Sequence, residues 1–134
     1  MPQDLLPEEV RRLISEHINS VEQLEILLLL RLRADVSWTA SQVSEELRSS
    51  ELSTAARLAD LARRGFVTQG TETGGGQSYR YDPTTEELRY AVDLLAKAYA
   101  ELRFTVMELI FSKPIENLRV YANAFRFRKD DSDG

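Results

Sequence analysis

The sequence predicts a mainly α-helical chain that carries one small β-hairpin. Three observations lead there. Residues 39–64 read as two short helices, joined at Ser49 and Ser50 and stopped by Gly65. Residues 66–81 form two strand-like runs on either side of Gly74, Gly75 and Gly76, the pattern of a hairpin with a flexible tip. From position 88 to 109, apolar residues recur at alternating spacings of four and three, which is helical.

The bulk properties suit such a chain. Its 134 residues are enough for one compact domain with an appended element. With 43% hydrophobic and 29% charged residues it can bury an ordinary soluble core. There is no cysteine, which excludes a disulfide framework, a thiolate metal site and a cysteine nucleophile. The apolar run at residues 26–30 is closed by Arg31, far short of the roughly 20 residues that span a membrane. Asp4, Glu8 and Glu9 near the start are the opposite of a secretion signal. A cytoplasmic protein without a membrane partner is expected.

Four segments are expected along the chain. Residues 1–19 hold a short amphipathic helix with Val10, Leu13, Ile14 and Ile18 on one face and Pro7, Glu8 and Glu9 at its start. Residues 20–82 form the main domain. Ser20 is placed to cap a helix over 21–33, whose apolar arc is nearly all round and whose expected face is Leu24, Leu27, Leu28 and Leu32. A connector at 35–38 has room for a short strand against the hairpin. Thr39 with Gln42 three residues on matches a capping box for the helix over 39–47.

For the helix over 51–64, Leu52, Leu58, Leu61, Ala55, Ala59 and Ala62 are expected inside, with Arg57, Asp60 and Arg64 outside. Gly65 fits the left-handed residue that ends a helix. Residues 83–127 form a helical region that opens at Pro83, Thr84 and Thr85, with Glu86 and Glu87 in its first turn where the helix dipole favours acids. Leu88, Val92, Leu95, Tyr99, Leu102, Val106 and Leu109 make an unbroken seam, roughly 32 Å long at 1.5 Å per residue. Pro114 ends or kinks this helix, and an amphipathic segment is expected over 115–127. The tail 128–134 is expected to be disordered.

Catalytic constellations are missing from the sequence. His17 is the only histidine, so no second one is available for a zinc site, and no serine sits in a G-x-S-x-G elbow, where His17 would have to serve as the base. The three glycines are not followed by the Lys-Ser/Thr pair of a phosphate loop. The acid pairs Glu45–Glu46 and Glu86–Glu87 sit where solvated helix faces are expected. No enzyme activity, cofactor or metal is expected.

The order helix, helix, glycine stop, β-ribbon resembles a winged helix-turn-helix, most like the MarR and ArsR groups of bacterial transcription regulators. The residues that carry the likeness are Leu58, Leu61, Gly65, Phe66 and Val67, in the pattern L-x-x-L-x-x-x-G-F-V. The resemblance implies that the second helix enters a DNA major groove with the ribbon as a wing along the backbone. Ser49, Ser50, Ser53, Thr54 and Arg57 would then face DNA, with Arg57 able to bond a guanine bidentately. Ala55 and Ala56 would leave room for close approach or touch a thymine methyl. Arg48, Arg64, Gln77 and Arg80 would complete the DNA-binding set. The local charge permits this without favouring it. Arg48, Arg57, Arg63, Arg64 and Arg80 balance Glu45, Glu46, Glu51, Asp60 and Glu72, and the whole chain is −5. The basic stretch at 119–129 is a further cationic region with no assigned role.

The seam has two readings, the flank of a monomer's core or a helix–helix contact that makes a homodimer, and the second is the expectation. A two-fold dimer would set two recognition helices about 34 Å apart, for a pseudo-palindromic duplex. The partners expected are therefore double-stranded DNA and a second copy of the chain. An alternative stays open: a winged helix that binds a protein partner and not DNA, since the wing tip is Glu72, Thr73 and glycines with no cation. A small-molecule effector, held between core and dimer helices, also fits the architecture.

Overall fold

A computed structural model describes residues 5–113. The elements run α1 (Glu8–His17), α2 (Val21–Leu32), α3 (Ala40–Leu47), α4 (Glu51–Arg63), β1 (Val67–Thr71), β2 (Gln77–Tyr81), α5 (Glu86–Glu101) and α6 (Arg103–Phe111). The readings at Pro114, over 115–127 and 119–129, and of the tail 128–134 lie outside the described residues, as do residues 1–4.

Local chemistry sets most boundaries. Ser20 Oγ accepts from the Gln23 N–H at 3.0 Å and starts α2. Thr39 and Gln42 form the expected capping box, each side chain accepting from the other's backbone N–H, at 3.2 and 2.9 Å. Ser50 and Thr85 cap α4 and α5 one way, as Ser20 caps α2, accepting from the Ser53 and Leu88 N–H. Such caps contribute about 1 kcal/mol each by satisfying an N–H that the helix cannot. Helix α4 ends as anticipated: Gly65 has φ +90, its N–H reaches the Ala62 carbonyl, and the Phe66 N–H reaches Leu61. These are the paired bonds of a Schellman motif. A Cβ on Gly65 would also stand 2.8 Å from Thr84 Oγ1, so two constraints select glycine here.

The strands pair antiparallel, Val67 opposite Tyr81 and Thr71 opposite Gln77. At the tip Gly74 and Gly75 have φ near +100, the region open to glycine. Trp38 adds a two-way backbone bridge to Tyr79, both bonds 2.8 Å, so the connector touches the hairpin at one isolated bridge and not as a strand. Trp38 and Tyr81 are buried, yet the indole N–H and the Tyr81 hydroxyl find no hydrogen-bond partner among the described residues. Burial, together with the Asp93 carboxylate, pushes the Tyr81 hydroxyl up to about 12.

Helix α2 is the centre of the molecule. Its Leu24, Ile26, Leu27 and Leu30 are inaccessible, and it packs on α3, α4 and β2. Leu32 departs from the expected face and is 75% exposed, while Leu30 in the same last turn of α2 is inaccessible. Helix α1 packs on α5 and α6, so the two ends of the described chain share one layer. Lys113 ties that layer together by donating to the Ile14 and Ile18 carbonyls and the Asn19 side chain, where the C-terminal end of α1 favours a cation.

Two features of the seam differ from the sequence reading. Leu102 leaves helical geometry at φ −132, ψ 51, so the expected continuous helix is two, α5 and α6. The break lets α6 fold back against α1, and the Phe104–Thr105–Val106 stretch has little intrinsic helix preference to resist it. In addition, Val92, Leu95 and Val106 are 0% exposed within the single chain. Those seam residues fill the chain's own core, while Leu88, Tyr99, Leu102 and Leu109 are half-buried beside it. The large apolar groups that α6 leaves outside are Phe104 and Phe111, 83% and 65% exposed and seven residues apart.

Candidate nucleic-acid interface

Helix α4 follows α3 after a sharp turn. Arg48 makes that turn in the left-handed region, φ 54 and ψ 47, while the Ser49 N–H bonds to the Ser44 carbonyl. The two helices then pack on each other, with α4 reaching the surface. Residues three and four apart share a helix face, so α4 has four lengthwise stripes of different character.

The innermost stripe is Thr54, Leu58 and Leu61, all inaccessible. Next to it, Ser53, Arg57, Asp60 and Arg64 lean toward α1 and α2 and are committed there. The Ser53 hydroxyl donates to Glu22 Oε1 at 2.5 Å, and Arg57 Nε donates to the same oxygen at 3.4 Å. Asp60 Oδ2 accepts from Gln23 Nε2 at 2.7 Å and from Arg64 Nε at 2.9 Å, while Arg63 reaches the other carboxylate oxygen. Arg64 Nη1 also donates to the Glu16 carbonyl at 2.9 Å and lies 3.3 Å from His17 Nδ1. Ala55 and Ala62 are half-buried on the third stripe. The fourth, Leu52, Ala56, Ala59 and Arg63, faces solvent, with Leu52 84% exposed.

This network has a definite electrostatic state. Burial alone would raise the Asp60 carboxyl, but hydrogen bonds from Arg64 and Gln23, the charge of Arg64 and the bond from Arg63 hold it below 3.8. His17 moves the same way for another reason. Burial, then the charge of Arg64, lowers it from 6.5, with Lys113 adding to the effect and Glu16 and Asp60 opposing it. The ring packs edge-on against Phe66 at 5.3 Å. Around it, α1 and the ends of α4 and α5 border a cleft of about 670 Å³, lined among others by Glu9, Glu16, Glu87 and Tyr90.

The expected DNA-facing residues are therefore dispersed. Arg48 and Ser50 are exposed at the turn, and Ser50 Oγ accepts from the Ser53 N–H at 3.2 Å. Gln77 and Arg80 are exposed on β2, with Gln77 accepting across the wing from Gln69. Thr54 requires correction: it is 0% exposed and its hydroxyl is joined to Ser49 at 2.8 Å, so it holds the turn and has no surface to offer. Arg64 is likewise turned away, into the contact with α1. Leu52 and Ala59 point outward and not inward, and Arg57 and Asp60 face α2.

Sequence reasoning missed Glu22 and Gln23, the two α2 residues that take up the polar stripe of α4. The available signal was the glutamine at a position inside an otherwise apolar arc.

No family model and no curated protein matches the chain. Solved structures do. A ZitR mutant from Lactococcus lactis is 18% identical, with 87% of this chain and 77% of that chain covered and a TM-score of 0.51. A MarR mutant from E. coli is 14% identical, with coverages of 89% and 87% and a TM-score of 0.50. Likeness at these identities is one of fold, and it agrees with the element order found above: the chain has a MarR-like winged-helix fold.

Proposed function

We propose that the chain is a DNA-binding transcription regulator that acts as a homodimer. The observation that carries this reading is the open outer face of α4. The second helix of a helix-turn-helix normally meets the major groove, and here it keeps Leu52, Ala56, Ala59 and Arg63 clear of the rest of the fold. Arg48 in the turn, Arg63 at the far end of α4 and Arg80 on the wing are the exposed cations that meet phosphates, joined by Ser50 and Gln77 as neutral donors. Arg57, 39% exposed along its side chain, reaches DNA after release from Glu22. Phe104 and Phe111 on α6 supply the apolar surface for the second copy, in place of the buried members of the seam.

The test is binding to random-sequence duplex DNA across a salt series, on protein whose mass in solution is known. The reading requires a dimer and an affinity that falls steeply with salt, with Arg48→Ala and Arg80→Ala each reducing the salt slope by about 2, one for each copy of the chain. A monomer without affinity at low salt would instead favour a winged helix that binds protein, a reading supported by the acidic total and the wing tip, whose charged residue is Glu72.

A further inference from the structure

The first two turns of α4 are rich in hydrogen-bonding side chains, but each already has a partner within the fold. Ser50 caps the helix, Ser53 and Arg57 share Glu22, and Thr54 is buried against Ser49. What the helix turns outward over this length is Leu52, at 84% exposure, and Ala56, beside the carboxylate of Glu51. With Arg57 held on Glu22, the outward pair Leu52 and Ala56 carries no donor with which to read a purine edge. The apolar feature of the major groove is the C5-methyl group of thymine, and an apolar side chain is its natural contact.

Resting on the DNA-binding reading above, we infer that Leu52 is a specificity-determining residue and that the chain selects duplexes with thymine opposite it. Ala56, one turn on, makes the second methyl contact. Duplex DNA fits this face because the apolar patch is bracketed by cations. Arg48 precedes it in the turn and Arg63 ends the same stripe, both exposed, where phosphates flank a helix lying in the groove. Glu51 accepts only, so in the groove it can meet the cytosine or adenine amine and is repelled by the guanine and thymine acceptors.

The experiment compares the full chain on an A·T duplex and on the same duplex with deoxyuridine for thymidine, which removes the C5 methyl and keeps the base-pair hydrogen bonds. Each lost contact is expected to weaken binding about fourfold, the equivalent of one buried methyl. The difference should shrink by about that factor in Leu52→Ser, a variant that removes no buried group, and the remainder is the Ala56 contact. Equal affinity of the natural chain for the two duplexes overturns the inference, as does a ratio that Leu52→Ser leaves unchanged. Failure to bind either duplex at low salt overturns the regulator reading itself and this inference with it, leaving Leu52 to a protein partner.

Discussion

Helices α4 and α5 are both amphipathic, yet they divide their residues in opposite ways. Helix α5 follows the ordinary rule, with Val92, Leu95 and Ala98 inside and Asp93, Lys97 and Glu101 outside. Helix α4 also buries Leu58 and Leu61, but it turns Arg57, Asp60 and Arg64 toward its neighbours and gives Leu52 to solvent. The difference lies in what each helix packs against. Helix α5 meets the apolar face of α1, whereas the flank of α4 meets Glu22 and Gln23 on α2 and the polar end of α1. An arginine or aspartate can face inward when its charge is paired and its hydrogen bonds are met. A leucine then faces outward because the helical period leaves it no other side.

This contrast can be broken by substitution. Leu95→Ala should cost about 2–5 kcal/mol in urea unfolding, as a fully buried leucine does, whereas Leu52→Ala should stay within about 0.5 kcal/mol. Equal losses at the two sites would mean that Leu52 is covered in solution. The polar flank of α4 comes next in size. Asp60→Ala leaves the inaccessible Gln23 amide and Arg64 without their acceptor, and a loss of about 2–3 kcal/mol is expected. Asp60→Asn should lose less, since it keeps one acceptor. A negligible loss for Asp60→Ala would show that the network adds little to the packing around it.

The smallest effect expected is the pH response of the same network. The folded-state pKa of His17 is lowered from 6.5, so the folded chain disfavours the protonated ring. Stability is then fully present above about pH 6.5 and declines as pH falls through that value toward the lowered folded one. Asp60 acts further down. Its contribution is present above 3.8 and is lost as pH falls through its depressed folded value. In a pH series of unfolding midpoints, His17→Gln should flatten the limb just below pH 6.5 and leave the acid limb in place. An unchanged upper limb would assign it to another group.

Much of the fold was legible because its signals are local. The capping box at Thr39 and Gln42, the cap at Ser20, the helix start at Thr85, the glycine stop at Gly65 and the glycine tip of the wing each act within a few residues. The candidate interface was legible as a place, the turn and the helix after it, but not as a set of side chains. In residues 51–64 four alanines and one early leucine define no clear apolar stripe, and the phase of the helix followed Gln23 and Glu22, thirty or more residues away in sequence.

The sequence by itself determined the kind and order of the elements, because helix caps, glycine turns and apolar periodicity are properties of neighbouring residues. The buried face of α1 was also periodic in the sequence, but tertiary structure decided the face that α4 shows and the use of the last helical region. It broke the 88–109 seam at Leu102 and took Val92, Leu95 and Val106 into the core. It also sent the arginines of α4 to α1 and α2. The physical reason is common to both. A face is buried by whatever partner lies opposite, and that partner is set by the path of the whole chain.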